Sequence, residues 1–267
     1  MADAALARAV AAVAAEASAL ALSQWRTDFR RWEKSPGDPV SQVDLDVNTL
    51  IRARLSALLP DAGWLSEETA DTADRLACDR VWVVDPIDGT RDFIRGRDGW
   101  AVSIALAEAG RVTIGVLDAP ARGEVWCAGL GQGALRNGVR VQVGNRRDIV
   151  GARVPIDALA EDSDLVAVAK PNSIALRIAM VAADEADLVA TLRWGHEWDV
   201  AAAALIATEA GATVTDAHGV QLSFNTASAL AFGVLATTPA IHAAAVARLA
   251  ERAKVLSAGK DEGGVAR

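Results

Sequence analysis

A mixed α/β fold is predicted by three features of this chain. Residues 102–106, 112–117 and 125–127 are short runs rich in Val, Ile, Leu and Trp, separated by Gly110 and Gly123, the pattern of an antiparallel meander. Beyond about residue 150, candidate strands at 165–169, 188–192 and 229–236 alternate with candidate helices starting near Ser173, Val200 and Ile241. The chain has 267 residues and is 52% hydrophobic, enough for a large core in one two-lobed domain or two packed subdomains.

The elements follow in order. An Ala-rich amphipathic helix is expected over residues 4–29. Asp3, Arg8 and Glu16 interrupt it and no cationic leader precedes an apolar core, which argues against an export signal. No run is read as reaching the ~18 apolar residues of a membrane span. A loop at 34–39 leads to a helix over 45–59, with Asp44 placed to cap it. Val81 to Val84 reads as a strand buried on both faces, and the meander follows it. Gly131 and Gly133 lack a third glycine and a following helix, so they mark a turn and not a dinucleotide loop. The polar stretch near Asn145 to Ala152 predicts a boundary between an N-terminal lobe, 1–147, and a C-terminal lobe, 148–256, with a disordered tail at 257–267.

A formal charge of −8 argues against nucleic-acid polymers as partners, since no basic patch is present to release counterions. Cys78 and Cys127 have neither zinc nor redox spacing, and read as reduced packing residues of a cytoplasmic protein. Trp82, Trp126 and Trp198 lie in apolar runs and are core candidates, whereas Trp194 fits either a cleft or an oligomer contact.

The chemistry concentrates at residues 81–94, V-W-V-V-D-P-I-D-G-T-R-D-F-I. A buried strand ends in two carboxylates three positions apart; Pro86 fixes its own φ and Gly89 allows a left-handed turn and close approach of a ligand. Asp85 and Asp88, with the Ile87 carbonyl, suit a hard cation such as Mg²⁺, which takes oxygen ligands and keeps waters and phosphate in its shell. A plain type I turn uses the same residues. Other acids have similar alternatives. Glu67 and Glu68 fit either a site or a solvated loop, and Asp44 and Asp199 either a site or a helix N-cap.

Taken together, P-V-S-Q-V-D, L-S-E-E-T, W-V-V-D-P-I-D-G-T-R-D-F and W-D-V-A-A-A-A-L-I-A-T-E-A-G-A resemble the inositol monophosphatase superfamily of metal-dependent small-molecule phosphatases over about residues 30–235. The resemblance implies a five-layered α/β/α/β/α sandwich and a phosphoric monoester hydrolase with two or three Mg²⁺ ions. Glu67, Asp85 and the Ile87 carbonyl would hold one ion; Asp85, Asp88 and Asp199 a second; a third would sit on Glu67. Two ions about 3.5–4 Å apart activate water and stabilise the leaving alkoxide together. Among the catalytic residues beside Glu67, Asp44 and Thr90 would share a hydrogen bond that orients the water. The amides of Gly89 and Thr90 would receive phosphate at a helix start. Lithium sensitivity and a homodimer are further implications. Ser66, Asp92 and Ala212 depart from common family residues, and none of them is an implied metal ligand.

Inositol phosphatases carry a sugar-binding acid seven positions before the residue matching Asp199. Here that position is Leu192, followed by Arg193. L-S-E-E-T, R-D-F-I-R-G-R and Ala175-Leu176-Arg177 are similar to bacterial 3′(2′),5′-bisphosphate nucleotidases, in which Arg177 or Arg193 would meet a second phosphate. The expected partner is therefore a small phosphorylated metabolite, best a nucleoside bisphosphate, then inositol 1-phosphate, then histidinol phosphate. A fold-retaining binding protein without catalysis is the reading from another class; clustered acids that repel without a cation argue against it. Both arginines also fit solvated surface positions.

Overall fold

The computed structural model describes residues 3–156 and 162–258. Helix α1 (Ala4–Gln24) begins where the Asp3 carboxylate accepts the amides of Ala5 and Leu6. It ends at Trp25, with Arg26 at a left-handed φ of 64°, five residues short of the predicted limit. Its length and mean hydropathy of 1.6 would suffice to cross a membrane, contrary to expectation. Instead Val10, Val13, Ala14, Ala17 and Ala21 pack into the core.

Residues predicted to be a loop form a hairpin of β1 (Arg31–Ser35) and β2 (Asp38–Ser41). Strand β1 is exposed along its whole length and largely polar, and β2 is buried only at Val40 and Ser41, so neither shows the hydrophobic alternation that signals a strand. Helix α2 (Gln42–Leu58) follows, then β3 (Gly63–Ser66), β4 (Arg80–Asp88) and the short helix α3 (Thr90–Ile94). Strands β5 (Ala101–Glu108), β6 (Arg111–Ala119), β7 (Glu124–Gly129), β8 (Gly133–Arg136) and β9 (Val139–Val141) complete a seven-stranded sheet in chain order from β3 to β9. Only β3 and β4 are parallel, so the predicted meander extends from β4 to β9.

One sheet face buries Trp82, Val84, Ile104 and Ile114 against α1 and α2. The other buries Val81, Val83, Leu117 and Trp126 against α4 (Ile174–Ala182) and α5 (Glu197–Glu209). These helices in turn lie on a second sheet, ordered β12 (Leu188–His196), β14 (Leu230–Thr237), β13 (Thr213–Thr215). Helix α6 (His242–Ala258) covers its far face through Ala245 and Leu249, with Ile241 just before it. The layers are thus α/β/α/β/α. The strand expected at 165–169 is reduced to β11 (Val166–Ala167), paired in parallel with β10 (Arg153–Val154). The α4/α5 core draws side chains from Leu65 to Ala236, across the predicted lobe boundary. Ser257 and Ala258 belong to α6, while the rest of the expected tail lies outside the described residues.

Candidate active site

A regular strand would send Asp85 and Asp88 to opposite faces, because side chains alternate with a period of two. Here β4 carries a bulge: Asp85 pairs with Ser103 and Asp88 with Ala101, three residues of β4 advancing against two of β5. Pro86, which cannot donate to a ladder, sits inside the bulge. Both acids consequently line one cleft of about 810 Å³. The turn after Asp88 uses Gly89 at φ 97°; a Cβ there would lie 2.6 Å from the Gly99 carbonyl oxygen, so only glycine fits.

Glu67, Asp85, Ile87, Asp88, Gly89, Thr90, Arg177, Arg193 and Asp199 all line this cleft. Asp44 lies buried behind it and is the remaining predicted site residue. Its Oδ1 is 3.2 Å from Thr90 Oγ1, the hydroxyl–carboxylate pair that the sequence reading requires, and the same hydroxyl is 3.0 Å from the Ile87 carbonyl. Asp44 and Asp199 both occupy the third position of their helices, not the N-cap. Ser41 and His196 are the caps, and each acid accepts the cap residue's amide, at 2.9 Å and 3.3 Å. Helix capping and cleft lining are therefore one arrangement.

The carboxylates do not sit idle. Asp85 Oδ1 accepts the Ile87 amide at 3.0 Å. Asp88 is turned toward α4, where it accepts the Ser173 hydroxyl and the amides of Ile174 and Ala175, the last at 2.8 Å. Lys34 reaches down from the hairpin to Glu67 at 3.0 Å and Glu68 at 2.6 Å. Among the described residues, no three potential ligands converge tightly enough to enclose an ion unaided.

Burial and mutual repulsion dominate the electrostatics. Desolvation, then the charges of Glu67, Asp88 and Asp199, push the Asp85 carboxyl well above its ordinary value. Asp199 is raised to about 8 by burial and by Asp88 and Glu67. Asp88 is raised to about 6 by burial, opposed by its bonds to α4, and Asp44 to about 6 by burial, opposed by Ser41. Glu68 rises to about 7, chiefly by burial. Oxygen donors held this close, and disfavoured as bare anions, match a hard divalent cation.

Another part of the cleft lining comes from β12, the strand that leads into Asp199. Its ladder with β14 slips between Thr191, opposite Val234, and Trp194, opposite Phe232. The bulge turns Leu192 into the apolar cluster of Ala217, Phe232 and Ala253, while Arg193 and Trp194 both line the cleft. Arg177 lines it too, but its Nε donates to the Pro171 carbonyl at 2.6 Å and its Nη2 to the Asn172 carbonyl at 3.0 Å. Its guanidinium is thus partly committed to holding that turn.

A matching family description, the inositol monophosphatase family, spans residues 3–254. The chain belongs to the inositol monophosphatase family. It is a metal-dependent phosphatase, and the family acts on small phosphorylated substrates with Mg²⁺. An inositol-1-monophosphatase from Mesorhizobium japonicum is 33% identical over 216 residues, 74% of this chain and 79% of that protein. A histidinol-phosphatase from Chlorobaculum parvum is 33% identical over 211 residues, 73% of this chain and 79% of its own length. The crystal structure of the extragenic suppressor protein suhB from Bartonella henselae superposes with a TM-score of 0.79 at 27% identity, covering 92% of this chain and 98% of that one.

Four residues at or behind this family site escaped the sequence reading. Lys34 lies on the polar strand β1, where the sequence predicts a loop, and Ser173 reads in the sequence only as a helix start. Asp92 is buried and accepts the Asn172 amide at 3.0 Å, tying α3 to the turn that delivers Ser173 to Asp88. Glu197 is fully buried and receives the amides of Asn225 and Thr226 at 2.6 Å and 2.9 Å, anchoring the start of α5. The available signal was position: Asp92 stands inside the D-P-I-D-G-T-R-D-F motif and Glu197 immediately before W-D-V-A-A-A-A.

Proposed function

We propose that this phosphatase hydrolyses a small phosphomonoester carrying a second anionic group, best a 3′(2′),5′-nucleoside bisphosphate. The observation that carries the reading is the β12 bulge, which sets Arg193 in the same cleft as Asp85 and Asp88, close enough to Asp199 to offset part of its raised carboxyl, and turns Leu192 away from it. A guanidinium there meets a second phosphate with a charge-assisted, bidentate fit. Lys170 lines the same cleft and adds to the positive side. The named relatives favour a monophosphate substrate, inositol 1-phosphate or histidinol phosphate, as the second reading.

Glu67, Asp85, Asp88, Asp199 and the Ile87 carbonyl are assigned to Mg²⁺. When bound, Mg²⁺ supplies a water of lowered pKa and charge stabilisation for the transferring phosphoryl group. The protein's own part is orientation. The Thr90 hydroxyl donates its hydrogen bond to Asp44 Oδ1, with the Ile87 carbonyl as a second acceptor, which leaves the Oγ1 lone pairs to accept a hydrogen bond from the attacking water and so orient it. The left-handed turn at Gly89 brings the Gly89 and Thr90 backbone to the phosphate side of the cleft without a Cβ in the way. No histidine base is needed. The unpaired, half-buried Cys78 and Cys127 fit a reducing cytoplasmic setting.

The test is phosphate release from adenosine 3′,5′-bisphosphate, inositol 1-phosphate and histidinol phosphate at equal concentration, with Mg²⁺ and with EDTA. Preference for the bisphosphate in kcat/KM is the expected result. A preference for either monophosphate transfers the assignment to that ester.

A further inference from the structure

The wall that carries Arg193 also carries aromatic rings, and no step of the phosphatase chemistry uses them. Trp194 is 40% exposed although its indole is large and apolar, and it lines the cleft. One edge is fixed by Phe232, at 5.4 Å between ring centroids and 63° between planes, so the ring is oriented and not loose. Two positions on, His196 lines the same cleft and lies parallel to Trp198, at 4.1 Å and 6°. Trp198 is half-buried against the α4/α5 core and gives that stack a rigid backing.

An oriented indole kept in a cleft, against the apolar preference for burial, is explained by a ligand that covers it. We propose that Trp194 and His196 form a stacking shelf for a flat aromatic ring on the alcohol part of the substrate. Two such rings are chemically open: a nucleobase and the imidazole of histidinol phosphate. Arg193, adjacent in sequence and lining the same wall, repels the ammonium that accompanies that imidazole and attracts a second phosphate. The shelf therefore takes a nucleobase. Stacking on aromatic side chains tolerates every base, because each base has a π-face, so the shelf sets the class of substrate and not the identity of the base.

This inference rests on the phosphatase reading of the same cleft, and its test separates the two. The ratio of kcat/KM for adenosine 3′,5′-bisphosphate to that for glycerol 2-phosphate is measured in wild type, Trp194→Leu, Trp194→Phe and His196→Ala. The ratio falls about tenfold in Trp194→Leu, less in His196→Ala, and recovers in Trp194→Phe, which keeps a π-face. An unchanged ratio in a folded Trp194→Leu overturns the shelf, as does a change of oligomeric state without a change of ratio, since Trp194 would then serve contact between copies. Should Trp194→Leu not fold, Trp194→Phe and His196→Ala carry the same comparison. If the wild type releases phosphate from no ester, the phosphatase reading fails and calorimetric affinity for adenosine 5′-phosphate decides the shelf. Weaker binding in Trp194→Leu upholds it; equal binding overturns it.

Discussion

The cleft has two walls, and each is made by a bulge. On β4 the bulge spans Asp85 to Asp88 and gathers acids; on β12 it spans Thr191 to Trp194 and presents a cation and an indole. The first is built from residues whose backbone chemistry announces it, a proline inside and a glycine at φ 97° beyond. The second contains only Leu192 and Arg193. Its enabling residue lies on the neighbouring strand: Gly233, at φ 69°, where a Cβ would come within 2.1 Å of the Thr191 carbonyl oxygen. One wall is therefore written locally and the other across strands. The chemistry assigned to them divides the same way, reaction on the local wall and selectivity on the cross-strand one.

The largest effect is expected on the acid wall. Asp85→Asn should lower kcat at least a hundredfold, equivalent to ~2.7 kcal/mol, while the protein stays folded. Because desolvation and neighbouring acids penalise the Asp85 charge, the same variant should melt higher than wild type in EDTA. Phosphate-release assays and thermal melts check both halves. Retention of more than a few per cent of wild-type kcat would remove Asp85 from the reaction.

The corresponding break on the other wall is Gly233→Ala. A non-glycine residue at this φ costs ~1–3 kcal/mol, and the close Thr191 carbonyl forces the strands apart, so a fall in Tm of roughly 3–10 °C is expected. Bisphosphate preference should fall with it, since Arg193 and Trp194 lose their support. A variant with normal Tm and normal preference would show that the bulge does not position this wall.

The acid wall also sets the pH response. Asp88 and Asp44 are raised to about 6 and Asp199 to about 8, so each binds its proton more tightly folded than unfolded, where carboxylates titrate near their ordinary value of ~3.9. Between that value and the raised ones the native state holds more protons, and stability without metal falls as pH rises. Melts in EDTA should therefore drop from pH about 6 to about 8, and saturating Mg²⁺ should cancel most of the drop. A metal-free Tm that rises over this window would contradict the burial argument.

How much of each wall was legible follows from the same contrast. D-P-I-D-G-T names its own geometry, because proline and glycine restrict and permit backbone angles wherever they occur. Asp44, Glu67 and Asp199 were legible through the family resemblance, and the five layers with them. The wall of β12 was not: periodicity gave a strand at 188–192 but could not say that Leu192 turns inward, since a bulge shifts every later side chain to the other face. Gly233 inside an apolar strand was the available signal, as interior glycines mark bulges or close backbone contacts. Lys34 was hidden for another reason: the exposed polar strand β1 has no apolar pattern from which to infer that its Lys34 reaches Glu67 and Glu68.

The smallest effects test selectivity residue by residue, and here the structure separates two arginines that sequence treats alike. Arg193→Ala removes a cleft cation and should lower kcat/KM for the bisphosphate about tenfold or more, in line with ~1.5–3 kcal/mol for a charge-assisted hydrogen bond, with a much smaller change on inositol 1-phosphate. Arg177 differs because its guanidinium already donates to the carbonyls of Pro171 and Asn172, in the turn that leads to Ser173 and thence to Asp88. Its loss should be felt through that turn, by both substrates equally and by no more than roughly threefold, well under 1.4 kcal/mol. Arg177→Lys should not rescue it, since an ammonium cannot reach two carbonyls in fork geometry. Steady-state kinetics of the three variants on both esters settle the division. A bisphosphate-selective loss in Arg177→Ala would move the second-anion contact from the bulged strand β12 to helix α4.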